Sequence, residues 1–170
     1  MSNKESNMII CRATTNDIEN IVKLRMEFIE EIKPRYKEYD FFHVATFEEK
    51  TREYFLHAIK HEEQMTYLAF SGDIAVACGS LCFVNVMPTF DHISGKRGHL
   101  MNIYTKREYR RKHIGYRIVD AIVTEARQMG ITQITLDATH EGEKLYSHYG
   151  FTPMKEGMEL YLLGKGELSE

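Results

Sequence analysis

The stretch GHLMNIYTKREYRRKHIGYRIVDAIVTEARQM, Gly98 to Met129, decides how this chain is read. It begins as a strand, Gly98 to Thr105, and passes through a basic loop carrying Lys106, Arg107, Arg110, Arg111, Lys112 and His113. It then opens a helix at Ile114 and Gly115. Ile114, Ile118, Ile122 and Ala126 recur every fourth position, with Val119 and Val123 beside them, which is one buried face of a 3.6-residue period. The first turn of a helix has unpaired N–H groups and a partial positive charge, so a cationic turn leading into one suits an anion. A phosphorylated ligand is expected at Arg110 to Tyr116.

Composition bounds what surrounds this unit. A chain of 170 residues, 43% hydrophobic, can bury one sizeable core and is read as a single domain over 1–170. The net charge of -3 argues against a general nucleic-acid binder, and the basic residues bunched at 106–117 suit one anionic ligand better than a long polyanion. Cys11, Cys78 and Cys82 are odd in number and lack CxxC spacing, so neither a disulfide framework nor a metal site is expected. A reducing, cytoplasmic setting follows as an expectation. The first residues, MSNKESNM, contain no apolar run, and nowhere is there a stretch approaching the roughly 20 apolar residues of a membrane span.

Taken in order, Met8 to Ala13 predicts a strand, and Thr15 or Asn16 a cap for a helix with Asp17 and Glu19 in its first turn and Pro34 at its end. Ile18, Ile21, Val22, Phe28, Ile29 and Ile32 follow the helical period. Tyr36 to Val44 is aromatic and irregular, either a loop folded onto the core or a wall that contacts substrate. Thr46 with Glu49 predicts a capping box for a second helix, with Phe47, Tyr54, Phe55, Ala58 and Ile59 on one face. Strands at Met65 to Phe70 and Ile74 to Met87 are joined by a turn at Ser71-Gly72-Asp73, and Gly79 marks a bend or bulge. Pro88 to Arg97 is a polar connection. After the central unit, Gly130 stops the helix, and Ile131 to Thr139 alternates as a strand. A short helix, Gly142 to Tyr149, and two strands around Phe151 to Met154 and Met158 to Leu163 close the chain. The order is that of one mixed α/β domain with a crossover helix between two central strands.

The run Asn102 to Gly115, followed by Leu145-Tyr146-Ser147-His148-Tyr149-Gly150-Phe151, resembles the GNAT superfamily of acyl-CoA N-acyltransferases. The family's signature loop reads Arg or Gln, two residues, Gly, one residue, then Gly or Ala, and here Arg110, His113 and Gly115 occupy those places. His113 departs from the pattern. Leu136 to Tyr146 is similar to one bacterial branch, with Thr139 where Asn is commoner and Gly142 where Ala is. The resemblance implies a mostly antiparallel central sheet with splayed fourth and fifth strands and flanking helices. It also implies acetyl-CoA as acyl donor. The backbone of Ile103, Tyr104 and Thr105 would meet the pantetheine arm, Arg110, Arg111, Lys112, His113, Ile114, Gly115 and Tyr116 the pyrophosphate, and Thr139 would lie on the cofactor side.

Two readings of His113 stand: a residue accepting a positive-φ turn, which His does more readily than most non-glycine types, or a hydrogen-bond donor to phosphate. The resemblance assigns Tyr146 as the acid for the leaving thiolate; otherwise it is a core aromatic beside Leu145 and Tyr149. Glu27, Glu30, Glu31, His99, His140 or a water are open as the base. The activity expected is acetyl transfer to a primary amine, of a small molecule, entering by the first two helices; the family's domains often pair, so a homodimer is a further expectation. The alternatives are a regulatory protein that senses acetyl-CoA without turnover, and a nucleotide-phosphate module, which is weakened because no GxGxxG or P-loop occurs.

Overall fold

The computed structural model describes residues 8–35, 44–155 and 157–160. Strand β1 (Met8–Arg12) leads through a short 3-10 turn (Thr15–Asp17) into helix α1 (Ile18–Ile32). Thr14, one residue earlier than expected, is the cap. Its hydroxyl accepts from the Asn16 N–H, while the Asp17 carboxylate accepts from the Thr14 N–H at 2.8 Å. Thr15 and Asn16 lie inside the turn: Thr15 has Ile18 three residues on, and the carboxylate three residues after Asn16, Glu19, is held by Arg52. Helix α2 (Val44–Lys60) starts before Thr46, so the expected Thr46 to Glu49 box falls within the helix and caps nothing. Of its proposed inner face, Phe55 and Ala58 are buried, whereas Phe47 and Tyr54 are largely exposed. Residues 36–43, read as the aromatic segment, lie outside the described residues.

Strands β2 (Gln64–Ser71), β3 (Ile74–Asn85), β4 (Lys96–Thr105) and β5 (Gln133–Leu136) complete a five-stranded sheet in the order β1-β2-β3-β4-β5. The first three pairings are antiparallel, and β4 with β5 is parallel, as a crossover through helix α3 (Ile114–Gln128) demands. The Gly72-Asp73 hairpin forms as expected. The strand read at Ile131 to Thr139 shortens to four residues, and helix α4 (His140–Tyr149) begins at once behind it. Residues 151–155 and 157–160 form no strand, against expectation, and residues 161–163 lie outside the described residues. Met154, Met158 and Leu160 are exposed, so their alternation is not matched by burial, which is what gives a period-2 pattern its meaning.

The sheet separates two cores. On one face α1 and α2 bury Ile18, Ile21, Val22, Leu24 and Phe55 against Leu68, Cys78 and Tyr104. On the other, α3 buries Ile114, Ile118, Val119, Ile122 and Ala126 against Val76, Leu81 and Leu100. Ile118, Val119 and Ile122 are fully buried, each contributing about 1.5–3 kcal/mol, and this docks the helix start firmly on the end of β4. Gly79 allows that approach. A Cβ there would stand 2.5 Å from Ile103 Cδ1 and 2.6 Å from Ile118 Cγ2. Gly79 is thus opposite the bulge rather than in it: from Cys78↔Tyr104 to Ser80↔Met101 the register takes one residue from β3 but two, Asn102 and Ile103, from β4.

Candidate active site

β4 and β5 pair only from Arg97↔Gln133 to Leu100↔Leu136. Beyond Leu100 the outer edge of β4 has no strand partner among the described residues, and the bulge begins two residues later. An inserted residue bends the strand and disrupts the alternation of its edge groups, so a parallel neighbour cannot follow. Asn102 takes the strain with a left-handed backbone, φ 57°. The result is a fork in which β4 from Met101 towards Thr105 has no strand neighbour on its outer side among the described residues, although the Asn102 carbonyl is taken by Cys78 Sγ and the Thr105 carbonyl by Arg110. Ile103 and Thr105, expected to offer backbone to a ligand, lie on this open segment, while the Tyr104 ring is buried on the α1 side, where burial pushes its phenol up.

The loop after the fork is shaped by two further left-handed residues, Arg111 (φ 61°) and His113 (φ 57°, ψ 16°). His113 is the residue before α3, and its side chain makes no cap hydrogen bond, so what the position uses is its backbone. The first hydrogen bond into α3 runs from the Arg117 N–H to the His113 carbonyl at 3.1 Å. The amides of Arg111, Lys112, His113, Ile114, Gly115 and Tyr116 find no backbone acceptor among the described residues. These are the orphan donors of a helix start, gathered at the end of the fork. A Cβ at Gly115 would meet Leu145 Cδ2 at 3.5 Å and Thr105 Oγ1 at 3.8 Å, ordinary contacts, so the fold itself does not require glycine there.

The cationic side chains of the loop are mostly engaged elsewhere. Arg110 donates to the Thr105 carbonyl at 2.8 Å and to both Glu31 oxygens at 2.7 and 2.8 Å, and lies over the Tyr104 ring. It staples loop to strand and helix. Lys106 pairs with Glu27 at 3.1 Å, Arg107 with Glu31 at 3.3 Å, and Lys112 sits over the Tyr109 ring. The loop therefore presents unpaired amides more than free guanidinium groups, with Arg111 exposed at the rim.

Thr139 caps α4 by accepting from the Gly142 N–H at 3.2 Å, which leaves the hydroxyl's own proton to donate elsewhere. Two turns on, Tyr146 is largely buried, edge-on to Phe151, and its hydroxyl has no hydrogen-bond partner among the described residues. Burial pushes its phenol up to about 12. Tyr149 differs: it donates to Asp120 at 3.0 Å, and its phenol is also pushed up to about 12, by burial and by that carboxylate. Tyr116 packs at a tilt against both His148 and Tyr149, tying α3 to α4.

Among the candidate bases, Glu27 and Glu31 are the ion-pair partners just described, Glu30 pairs with Lys33 at 3.5 Å, and His140 is exposed. They are not equivalent to His99. That ring stands one residue before the last β4–β5 pair, with Nδ1 at 2.9 Å from Thr135 Oγ1 and Nε2 at 3.4 Å from Asp137. Opposite it across β3 lies Cys82, whose Sγ meets the Tyr54 hydroxyl of α2 at 3.2 Å. A cleft of about 860 Å³ opens between α1 and the end of β4, with Glu27, Glu30 and Glu31 on one side and Tyr104 and Lys106 on the other. Sequence reasoning missed Asn102, Arg25, Cys82 and Tyr54. The one available signal was an asparagine inside a strand pattern, a residue type that strands disfavour and left-handed backbone tolerates.

Among the described residues there is no helix long and apolar enough to cross a membrane and no cluster of His, Cys, Asp and Glu placed to hold a metal. Comparison with known proteins bears on the same region. The model of the Acetyltransferase (GNAT) family matches residues 26–151. Glucosamine 6-phosphate N-acetyltransferase 1 of Dictyostelium discoideum is 30% identical over 119 residues, 66% of this chain and 74% of that protein. A "predicted acetyltransferase" of Clostridium acetobutylicum, solved with acetyl-CoA, superposes with a TM-score of 0.80 at 24% identity, covering 91% of this chain and 96% of the other. A GCN5-related N-acetyltransferase of Ralstonia eutropha gives a TM-score of 0.78 at 22% identity, covering 91% and 99%.

Proposed function

Because the chain belongs to the GNAT acetyltransferase family, an acyl-CoA-dependent enzyme family with acetyl-CoA as co-substrate, we propose that it acetylates a primary amine of a small molecule at the fork of β4 and β5. The observation that carries this is the continuity of two unpaired backbone surfaces, the open edge of β4 past Leu100 and the free amides from Arg111 to Tyr116. An extended amide-containing arm with a phosphate end fits the two in that order. The phosphate end would lie on the amides and the arm along Ile103 and Thr105. His113 keeps the left-handed turn that a glycine would make, so its presence does not argue for a sensor without turnover.

The bound donor supplies a thioester whose carbonyl carbon passes from sulfur to the amine nitrogen. The chain must take a proton from that nitrogen and support charge on the departing sulfur. His99 is suited to the first task. Nδ1–H donating to Thr135 Oγ1 would fix the ring at the fork, so the amine's proton would go to Nε2, and the exposed Asp137 carboxylate 3.4 Å away would accept from the N–H so formed. Tyr146 is suited to the second. A phenol held near 12 lies well above an ordinary thiol at about 8.5, so Tyr146 would donate a hydrogen bond to the sulfur and keep most of its proton. The cleft beside α1 would admit the amine, its glutamates facing an ammonium group.

The test is release of free thiol from acetyl-CoA over a panel of amines that includes glucosamine 6-phosphate, the acceptor in the Dictyostelium relative's name. Amine-dependent thiol release with an acetylated small molecule as product is the expected result. Tight acetyl-CoA binding with no release over polyamines, amino sugars, amino acids and basic peptides would overturn it, and turnover confined to peptides would overturn the small-molecule part.

A further inference from the structure

The bulge that parts the strands is held by a side chain as well as by its backbone. Asn102 is buried, and its Oδ1 accepts from Arg25 Nη1 of α1 at 3.4 Å. Its Nδ2 donates to Cys78 Sγ of β3 at 3.5 Å, and its carbonyl accepts from the same Sγ at 3.3 Å. Arg25 also lies over the Phe28 ring, and Phe28 packs on Tyr104 at 5.6 Å between centroids. Further along the helix, Glu27 and Glu31 hold Lys106 and Arg110. Helix α1 therefore grips the segment 102–110 from the fork to the anion loop, and the Arg25–Asn102 contact is the grip at the fork.

Left-handed backbone alone would be met best by glycine. Asparagine at φ 57° is the less comfortable choice, and what it adds is an amide that α1 and β3 can both hold. We propose that Asn102, held by Arg25, is a positioning residue for acyl transfer: it locks the β4 bulge to α1, so that the open backbone at the fork and the helix walling the acceptor cleft keep one relative placement. The inference rests on the fork being the place of the thioester. A misplacement on the order of 1 Å at a reacting centre can cost about 100-fold in rate, so a tether of this kind can matter without touching substrate.

The experiment compares Asn102→Gly, which keeps the left-handed backbone and removes the amide, with Asn102→Asp, which tolerates the same backbone and keeps an acceptor for Arg25. With the accepted amine, Asn102→Gly should lose about 10- to 100-fold in kcat while its Kd for acetyl-CoA stays within about 3-fold, and Asn102→Asp should stay within about 3-fold of the wild type in both. A double-mutant cycle with Arg25→Ala should show that most of the Asn102→Gly effect is gone once Arg25 is absent. Equal turnover by the wild type and Asn102→Gly would overturn the inference, as would loss of acetyl-CoA binding in Asn102→Gly or full additivity in the cycle. Failure of the acyl-transfer reading is separate from these, because it shows as no thiol release by the wild type itself.

Discussion

Replacing the tyrosines of α4 one at a time should separate chemistry from stability in opposite directions. Tyr146 is largely buried as a residue and its hydroxyl has no partner among the described residues, so Tyr146→Phe keeps the packed ring and removes no hydrogen bond within the protein. Stability should hold or rise slightly. The Tyr149 hydroxyl donates to Asp120 near the surface, and Tyr149→Phe forfeits that bond, about 1 kcal/mol once solvent screening is allowed for. For a chain of this size that lowers Tm by about 2–4 °C. Turnover should reverse the order. If Tyr146 supports the departing sulfur, Tyr146→Phe should lower kcat by roughly 10²- to 10⁴-fold with little change in acetyl-CoA affinity, and Tyr149→Phe should leave kcat intact.

An alkaline readout gives the same side chain a second test. Burial disfavours the phenolate, so with a phenol near 12 in the folded state and about 10 unfolded this side chain has no ionisation cost below pH 10, and a loss of stability builds up as pH rises from 10 through 12. It amounts to roughly 2–3 kcal/mol for Tyr146 as an order of magnitude, so Tyr146→Phe should flatten the alkaline loss of stability. Calorimetry and steady-state kinetics on both variants decide the matter. Loss of turnover in Tyr149→Phe with Tyr146→Phe active would show the role assignment to be wrong by one helical turn, and comparable activity in both would remove the phenol from the mechanism.

Three further outcomes are expected. His113→Gly should relieve backbone strain of about 1 kcal/mol, partly offset by the freer unfolded chain, and leave acetyl-CoA binding equal or tighter; clearly weakened binding would instead assign the imidazole to a phosphate. Gly115→Val should weaken acetyl-CoA binding severely, whereas Arg111→Ala and Lys112→Ala should do so modestly; titration calorimetry with unchanged affinity for Gly115→Val would remove the amides of Arg111 to Tyr116 as the anion site. His99→Gln should lower kcat by about 10²- to 10⁴-fold with little change in acetyl-CoA affinity, and a variant with wild-type kcat would return the base to water.

Much of the site was legible because local rules govern it. The apolar spacing of Ile114, Ile118 and Ile122 determines the face that α3 buries, and a helix whose start is pinned to a strand end leaves its first amides free whatever the rest of the chain does. A positive-φ turn at His113 was one of two readings implied by the family resemblance, which places glycine there, and the backbone has φ 57°. The errors arose where neighbours decide. Thr46 with Glu49 has the composition of a cap, but the helix had already begun at Val44. Residues 151–160 alternate as strands do, yet burial is supplied by a partner edge that no short-range pattern reports.

By itself, then, the sequence determined the strand, basic loop and helix of residues 98–129, the hairpin at Gly72-Asp73, and the family to which they point, because each depends on residues within a few turns of one another. Only the tertiary structure decided that Arg110 is taken up by Glu31, that Thr139 serves α4, that His99 faces Thr135 and Asp137, and that Asn102 is clasped by Arg25. Those contacts join positions far apart in the chain. They depend on strand register and on where one extra residue falls in β4, and a single-residue shift in register sends every following side chain to the opposite face.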